Sequence, residues 1–92
     1  MALRADVTGS IFGAVHDRSQ AVIAGAHVVA TNVETNLSRE TTSDADGSYR
    51  ILALPAGHYK LSVTASGFRA FTETDIEVKV NARNPEAVTL SL

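Results

Sequence analysis

Strict alternation of apolar and polar residues limits the folds open to this chain more than any other feature. Tyr59, Leu61, Val63 and Ala65 interleave with Lys60, Ser62, Thr64 and Ser66. Ile76, Val78 and Val80 alternate with Asp75, Glu77 and Lys79, and Val88, Leu90 and Leu92 alternate with Thr89 and Ser91. Successive side chains of an extended strand point to opposite sides, so each segment has one apolar and one wet face. Such a pattern describes half-buried antiparallel strands. Residues 21–30 imitate a helical stripe, but Gly25 interrupts it, and Val28, Val29 and Thr31 favour an extended chain. The expectation is all-β.

Turn chemistry divides the chain at short intervals. His16-Asp17-Arg18-Ser19-Gln20 separates a first strand, residues 7–15, from a second at 26–33. Glu34-Thr35-Asn36 leads into a third at 38–43, and Asp44-Ala45-Asp46-Gly47 into a fourth at 48–54. In that second turn Gly47 can take positive φ without steric penalty. Pro55-Ala56-Gly57 precedes a fifth strand at 58–65, and Ser66-Gly67 precedes a sixth at 68–72. A seventh covers 76–80, and a turn at 81–85 leads to the last, 86–92. Both prolines fall in or beside turns, where a missing backbone donor harms no ladder. Seven or eight short strands at this spacing argue for two packed antiparallel sheets, because a single sheet would leave its apolar face in water. Parity is ambiguous near Ile51: Tyr49 and Ile51 share one face, Leu52 and Leu54 the other, so a bulge or a sheet-switching bend is expected there.

Ninety-two residues make one domain. A chain of this size buries roughly 60–65% of its unfolded surface, enough for one core but not for a deep enclosed pocket as well. Eight Lys and Arg against ten Asp and Glu lack the basic footprint of nucleic-acid binding. The chain has no cysteine, which excludes a disulfide framework, a zinc ribbon and a thiol nucleophile. No apolar run approaches the ~18 residues of a membrane helix, and Met1-Ala2-Leu3-Arg4-Ala5-Asp6 is no signal peptide. Either the chain stays in the cytoplasm or it was cut from a larger precursor.

Five motifs in order carry a resemblance. Ile11-Phe12-Gly13-Ala14-Val15-His16-Asp17 is followed by Gly25-Ala26-His27-Val28-Val29-Ala30-Thr31-Asn32. Then come Thr42-Ser43-Asp44-Ala45-Asp46-Gly47-Ser48-Tyr49-Arg50-Ile51 and Leu54-Pro55-Ala56-Gly57-His58-Tyr59-Lys60-Leu61-Ser62-Val63. Ala65-Ser66-Gly67-Phe68 closes the set. Over residues 9–92 the chain resembles the carboxypeptidase regulatory-like domain, with residues 1–8 as a leader or appended segment and the start of the first strand. The resemblance implies a transthyretin-like, Ig-like Greek-key sandwich acting as a non-catalytic module. Such domains accompany metallocarboxypeptidases and extend the N-termini of TonB-dependent outer-membrane receptors, and this Ala-, Thr- and Asp-Gly-rich sequence looks most like the receptor kind. The implied location is the cell envelope or the exterior, as a fragment lacking its signal peptide.

The expected core comprises Ile11, Gly13, Val15, Val28, Gly47, Tyr49, Ile51, Leu54, Tyr59, Leu61, Val63, Phe68, Ile76, Val78, Val88 and Leu90. Gly13 is expected to let an opposing aromatic close over the first strand, and Tyr49, Tyr59 and Phe68 to supply bulk among small aliphatics. Asp44 and Asp46 are weak candidates for calcium: the glycine comes too early for an EF-hand loop and no glutamate stands at its far end. An acidic hairpin turn is the better account. His16, His27 and His58 stand apart from one another and match no metal spacing. A hydrolytic set of His16 and Asp17 with Ser10 or Ser19 lacks a nucleophile-elbow context. No catalytic residue, metal or cofactor is expected.

Related sandwich families do carry chemistry. Transthyretin-related hydrolases of hydroxyisourate end in Tyr-Arg-Gly-Ser, whereas this chain ends Thr89-Leu90-Ser91-Leu92. The adhesin repeats that crosslink a lysine to an asparagine need a lysine in the first strand, yet the only lysines here are Lys60 and Lys79 on the wet face. Sugar binding favours exposed tryptophan platforms, and there is no tryptophan. Phe12 and Phe71 remain free to be exposed: either one or both form a contact patch for a protein or glycan, or they only cover a sheet edge. The expected partners are therefore the rest of the parent polypeptide, a protein or glycan, and a second copy paired edge to edge. Nucleic acid is excluded, and a membrane is met only through the parent protein. The reading is a spacer or docking module, with a carbohydrate- or peptide-binding accessory domain of a secreted enzyme as the alternative.

Overall fold

A computed structural model describes residues 8–92, so the expectations for the leader and for Val7 lie outside the described residues. The alternation governs which residues are inside. Tyr59, Leu61 and Val63 are fully buried, while Lys60 and Thr64 are exposed. Among the described residues eight strands form: β1 (Thr8–Asp17), β2 (His27–Asn32), β3 (Ser38–Thr42), β4 (Ser48–Pro55), β5 (Gly57–Thr64), β6 (Phe71–Val78), β7 (Arg83–Pro85) and β8 (Val88–Leu90). They make two sheets. The first has β1 at its centre, with β4 on one side and β7 then β8 along the other; the second runs β3-β2-β5-β6. The fold is the all-β, two-sheet sandwich that the turn spacing predicts.

Two features depart from the sequence reading. The expected sixth and seventh strands are one strand, β6, which begins at Phe71. Asp75 takes φ 62°, and the register with β5 skips one residue between Tyr59 and Leu61. That extra residue flips parity, so Phe71 and Glu73 lie opposite Val63 and Leu61 while Ile76 lies opposite Tyr59. The same device resolves the ambiguity in β4. Ala53 at φ 59° forms a bulge against β1, which keeps Tyr49, Ile51 and Leu54 all buried and leaves Leu52 61% exposed.

The second departure concerns direction. Residues 83–85, expected as turn, form β7, and both β7 and β8 pair parallel to β1 rather than antiparallel. The cause is the crossing after β6. A turn closed by Ala82 N–H donating to the Lys79 carbonyl (3.0 Å) carries the chain to the other sheet. There it runs along β1 in the same direction, end to end as two short pieces.

Most of the expected core positions are fully buried, joined by Ala26 and Ala30. Phe68 is only half-buried, because it sits in the loop after Gly67 and packs against the end of the core. Tyr59 is wholly enclosed, and its hydroxyl donates to the Pro55 carbonyl at 2.6 Å, tying β5 back to the corner that precedes it. Ser43 and Asn32 are buried polar residues with their bonds made. Ser43 Oγ donates to the Ile23 carbonyl (2.7 Å) and accepts from Ala26 N–H (2.8 Å). Asn32 Oδ1 accepts from the N–H groups of Glu34 and Thr35 at 2.9 and 3.0 Å.

Gly13 locks the last strands onto the first. A Cβ there would lie 2.1 Å from the Glu86 carbonyl oxygen and 3.2 Å from the Tyr49 ring. The space therefore admits the backbone between β7 and β8 more closely than it admits the aromatic. Glu86 N–H donates to the Phe12 carbonyl (2.8 Å), and Tyr49 O–H donates to the Glu86 carbonyl at 2.6 Å. One glycine, one tyrosine and one carbonyl thus join β4, β1 and the β7–β8 junction.

Candidate functional site

With the interior filled, what the domain offers a partner lies on its surfaces, and the outer face of the first sheet is the most distinctive. Alternation along β1 turns Ile11 inward and Phe12 outward, where Phe12 is half-buried among its neighbours. Arg50 of β4 stands directly opposite Phe12, and Pro85 of β7 flanks it on the other side. The Arg83 guanidinium lies over the Phe12 ring, 5.0 Å from its centroid, a cation–π arrangement that orients the side chain. Exposed Leu52 extends the apolar surface beside Arg50. Phe71 lies apart from Phe12: it sits on the second sheet opposite Val63 and packs against the core. Phe12 and Phe71 therefore form no common patch.

The two ends of the sandwich carry other groups. A cavity of about 430 Å³ opens between Phe68, Leu90, Leu92 and the loop Asp17-Arg18-Ser19. Asp17 accepts hydrogen bonds from Ser19 N–H, Ser19 O–H and Ala21 N–H at 2.8, 2.7 and 3.0 Å. The Ser19 hydroxyl bond is the foremost cause that holds its carboxyl below the usual aspartate range. That serine is thus bonded to the carboxylate directly, with no imidazole between them. At the β3–β4 turn, Asp44 closes the hairpin through its backbone, and Asp46 Oδ1 accepts from Ser48 N–H at 3.1 Å. Bonding to Ser48 also lowers the Asp46 carboxyl. Among the described residues no three His, Asp or Glu gather to hold a metal ion. His16 lies on the first sheet, whereas His27 and His58 lie on the second, with His27 Nε2 2.9 Å from Glu40.

One pair of groups was not legible beforehand. The Glu86 carboxyl is pushed above the ordinary glutamate range, chiefly by burial and then by bonding to and charge from Glu73. Burial, with the same two carboxylates nearby, holds the Tyr49 phenol well above its usual range, so it remains a donor to the Glu86 carbonyl at any physiological pH. The pairing arises because the β6 bulge leaves Glu73 opposite Leu61, at the border of the two sheets. A signal existed only in hindsight: Glu73 occupies a position that unbroken alternation with Ile76 would have turned outward.

Comparison with known proteins places this geometry. The carboxypeptidase regulatory-like domain family matches residues 10–91. The TonB-dependent transporter Oar of Myxococcus xanthus is 36% identical over 76 residues, which cover 80% of this chain and 7% of that protein. Among solved structures, the Bacillus anthracis TIE protein superposes with a TM-score of 0.75 at 22% identity, covering 92% of this chain and 17% of that one. Wild-type catechol 1,2-dioxygenase of Acinetobacter radioresistens also gives a TM-score of 0.75, at 16% identity over 91% of this chain and 52% of its own. At such identities both structures speak for the fold alone. The chain accounts for a small part of the transporter and about half of the dioxygenase it resembles. With its sandwich, its five ordered motifs and a family match over nearly the whole length, the chain belongs to the carboxypeptidase regulatory-like domain family.

Proposed function

We propose that the domain is a non-catalytic spacer and docking module of a larger exported envelope protein of the TonB-dependent receptor kind. The observation that carries this reading is the 36% identity to a transporter of which the matched part is only 7%. A self-contained sandwich attached to a protein many times its size serves its neighbours by geometry. Two features suit that role. The last strands are bonded to β1 and β4 through Glu86, so the C-terminal segment leaves from a fixed point. The edge strands β4 and β6 are each broken by a bulge, which discourages unplanned strand pairing. Of the strands bordering the sheets, β3 is a continuous edge, and an edge-to-edge second copy would pair there.

The test is deletion of this domain from the tagged full-length protein that carries it, in its own host. The parent protein is expected in the outer-membrane fraction with and without the domain, and uptake of its substrate is expected to fall on deletion. Recovery of the intact parent in the cytosol, or uptake unchanged by deletion, contradicts the proposal.

A further inference from the structure

We infer that the outer face of the first sheet docks an acidic protein segment whose carboxylates alternate with apolar side chains. The inference rests on the docking role proposed above and names the partner's chemistry. Its basis is an asymmetry of charge. The chain carries more acidic than basic residues, yet the outward positions of β1, β4, β7 and β8 hold no carboxylate among the described residues. Among the described residues the acidic side chains lie in the loops, on β3, on β6, at Asp17 where β1 ends, about five residues along the strand from Phe12, and at half-buried Glu86 between β7 and β8. The second sheet, by contrast, presents Glu40 and Glu77 as well as Lys60.

Arg50 and Arg83 stand on either side of Phe12, both exposed, and among the described residues neither is paired with a carboxylate. The Phe12 ring, 5.0 Å from the Arg83 guanidinium carbon, attracts that charge without using its N–H donors, which stay available to fork a carboxylate. The two arginines spring from strands on opposite sides of β1, so their α-carbons are on the order of 10 Å apart. Their flexible side chains can close that span to the ~7 Å between alternate residues of an extended segment. Between and beside them lie Phe12 and Leu52, the latter 61% exposed, which match apolar side chains rather than the hydroxyls of a polyuronate. A protein segment is therefore favoured over an acidic glycan.

The test titrates the 92-residue chain with a synthetic peptide alternating Glu and Leu, with its Gln-for-Glu analogue, and with polygalacturonate. Calorimetry or fluorescence anisotropy reads the affinity. Saturable binding of the Glu peptide that weakens with salt is expected. The double variant Arg50→Gln/Arg83→Gln should lose at least about tenfold in affinity, while Lys60→Gln on the opposite sheet changes nothing. Because both arginines are exposed, the double variant should melt with the parent chain. Equal binding of the Gln analogue overturns the inference, as does affinity unaffected by the double variant. Binding of polygalacturonate with the peptide silent, or no binding by the folded chain, overturns it as well. If deleting the domain still impairs the full-length protein in those cases, the spacer role stands and only the partner's chemistry is wrong.

Discussion

Replacing Gly13 by alanine probes the contact on which closure of the sandwich depends. The new methyl would sit 2.1 Å from the Glu86 carbonyl oxygen and 2.8 Å from its carbon, both backbone atoms. Ordinary carbon–oxygen contact is over 3 Å, so the β7–β8 junction must move by about 1 Å. Overpacking of this kind costs about 1–3 kcal/mol. The movement also strains the 2.6 Å bond from Tyr49 O–H, and a carbonyl left without its partner adds about 1–2 kcal/mol. The sum, about 2–5 kcal/mol, is a large part of the ~5–14 kcal/mol expected for a domain of this length. At about 4–8 °C per kcal/mol, Tm should fall by at least about 8 °C. Thermal unfolding followed by circular dichroism measures it. Tyr49→Phe, which removes the bond without adding bulk, should cost about 1–2 kcal/mol. In the double variant the two effects should add to less than their sum, since both act on one carbonyl. A Gly13→Ala protein melting within about 2 °C of the parent would falsify the reasoning.

Three further outcomes are expected. Tyr59→Ala should lose about 3–5 kcal/mol, because the ring is wholly buried and bonded to Pro55, and denaturant unfolding would show it. Ala53→Gly should raise stability by up to about 1 kcal/mol, read as a higher Tm, because a residue at φ 59° is relieved of its Cβ. Glu86 binds its proton more tightly in the folded chain, so the stability it contributes is present below the ordinary value of 4.5 and is lost as pH rises above it. Glu86→Gln should therefore raise the neutral-pH Tm and flatten the decline seen on going from pH about 4.5 to neutrality. A steeper decline in that variant contradicts the pairing with Glu73.

How much of the fold was legible in the sequence depends on which physical signals are local. Tyr59, Leu61 and Val63 announce their face because nothing interrupts the alternation of β5. The bulge at Ala53 shows in the sequence only as broken parity near Ile51, and the one at Asp75 is silent, since neither residue type marks a positive φ as glycine does. Their effect on parity merged two expected strands and exposed Leu52. β7 is only three residues long and ends in Pro85, so its pairing comes from the close approach at Gly13 rather than from propensity. The aromatic that Gly13 was expected to accommodate is present as Tyr49, but the nearer neighbour is a backbone carbonyl, which no side-chain pattern encodes. Phe12 and the two arginines around it meet only through strand register, from three separate strands. Asn32 and Ser43 fall inside the strands expected at 26–33 and 38–43, but nothing in the alternation marks them as buried; Ser43 is kept inside by bonds to the distant backbone of Ile23 and Ala26, and Asn32 by bonds to the nearby N–H groups of Glu34 and Thr35.

A spacer transmits position only if its last strands are as firmly held as its centre. Amide hydrogen exchange on the 92-residue chain tests this directly, residue by residue. The Glu86 amide, bonded to the Phe12 carbonyl, should exchange as slowly as those of Leu61 and Val63 at the centre of the second sheet. Exchange at Glu86 as fast as in the loop after Gly67, with β2 and β5 still protected, would mean that the C-terminal strands are loosely attached and that the module cannot hold a C-terminal neighbour in place.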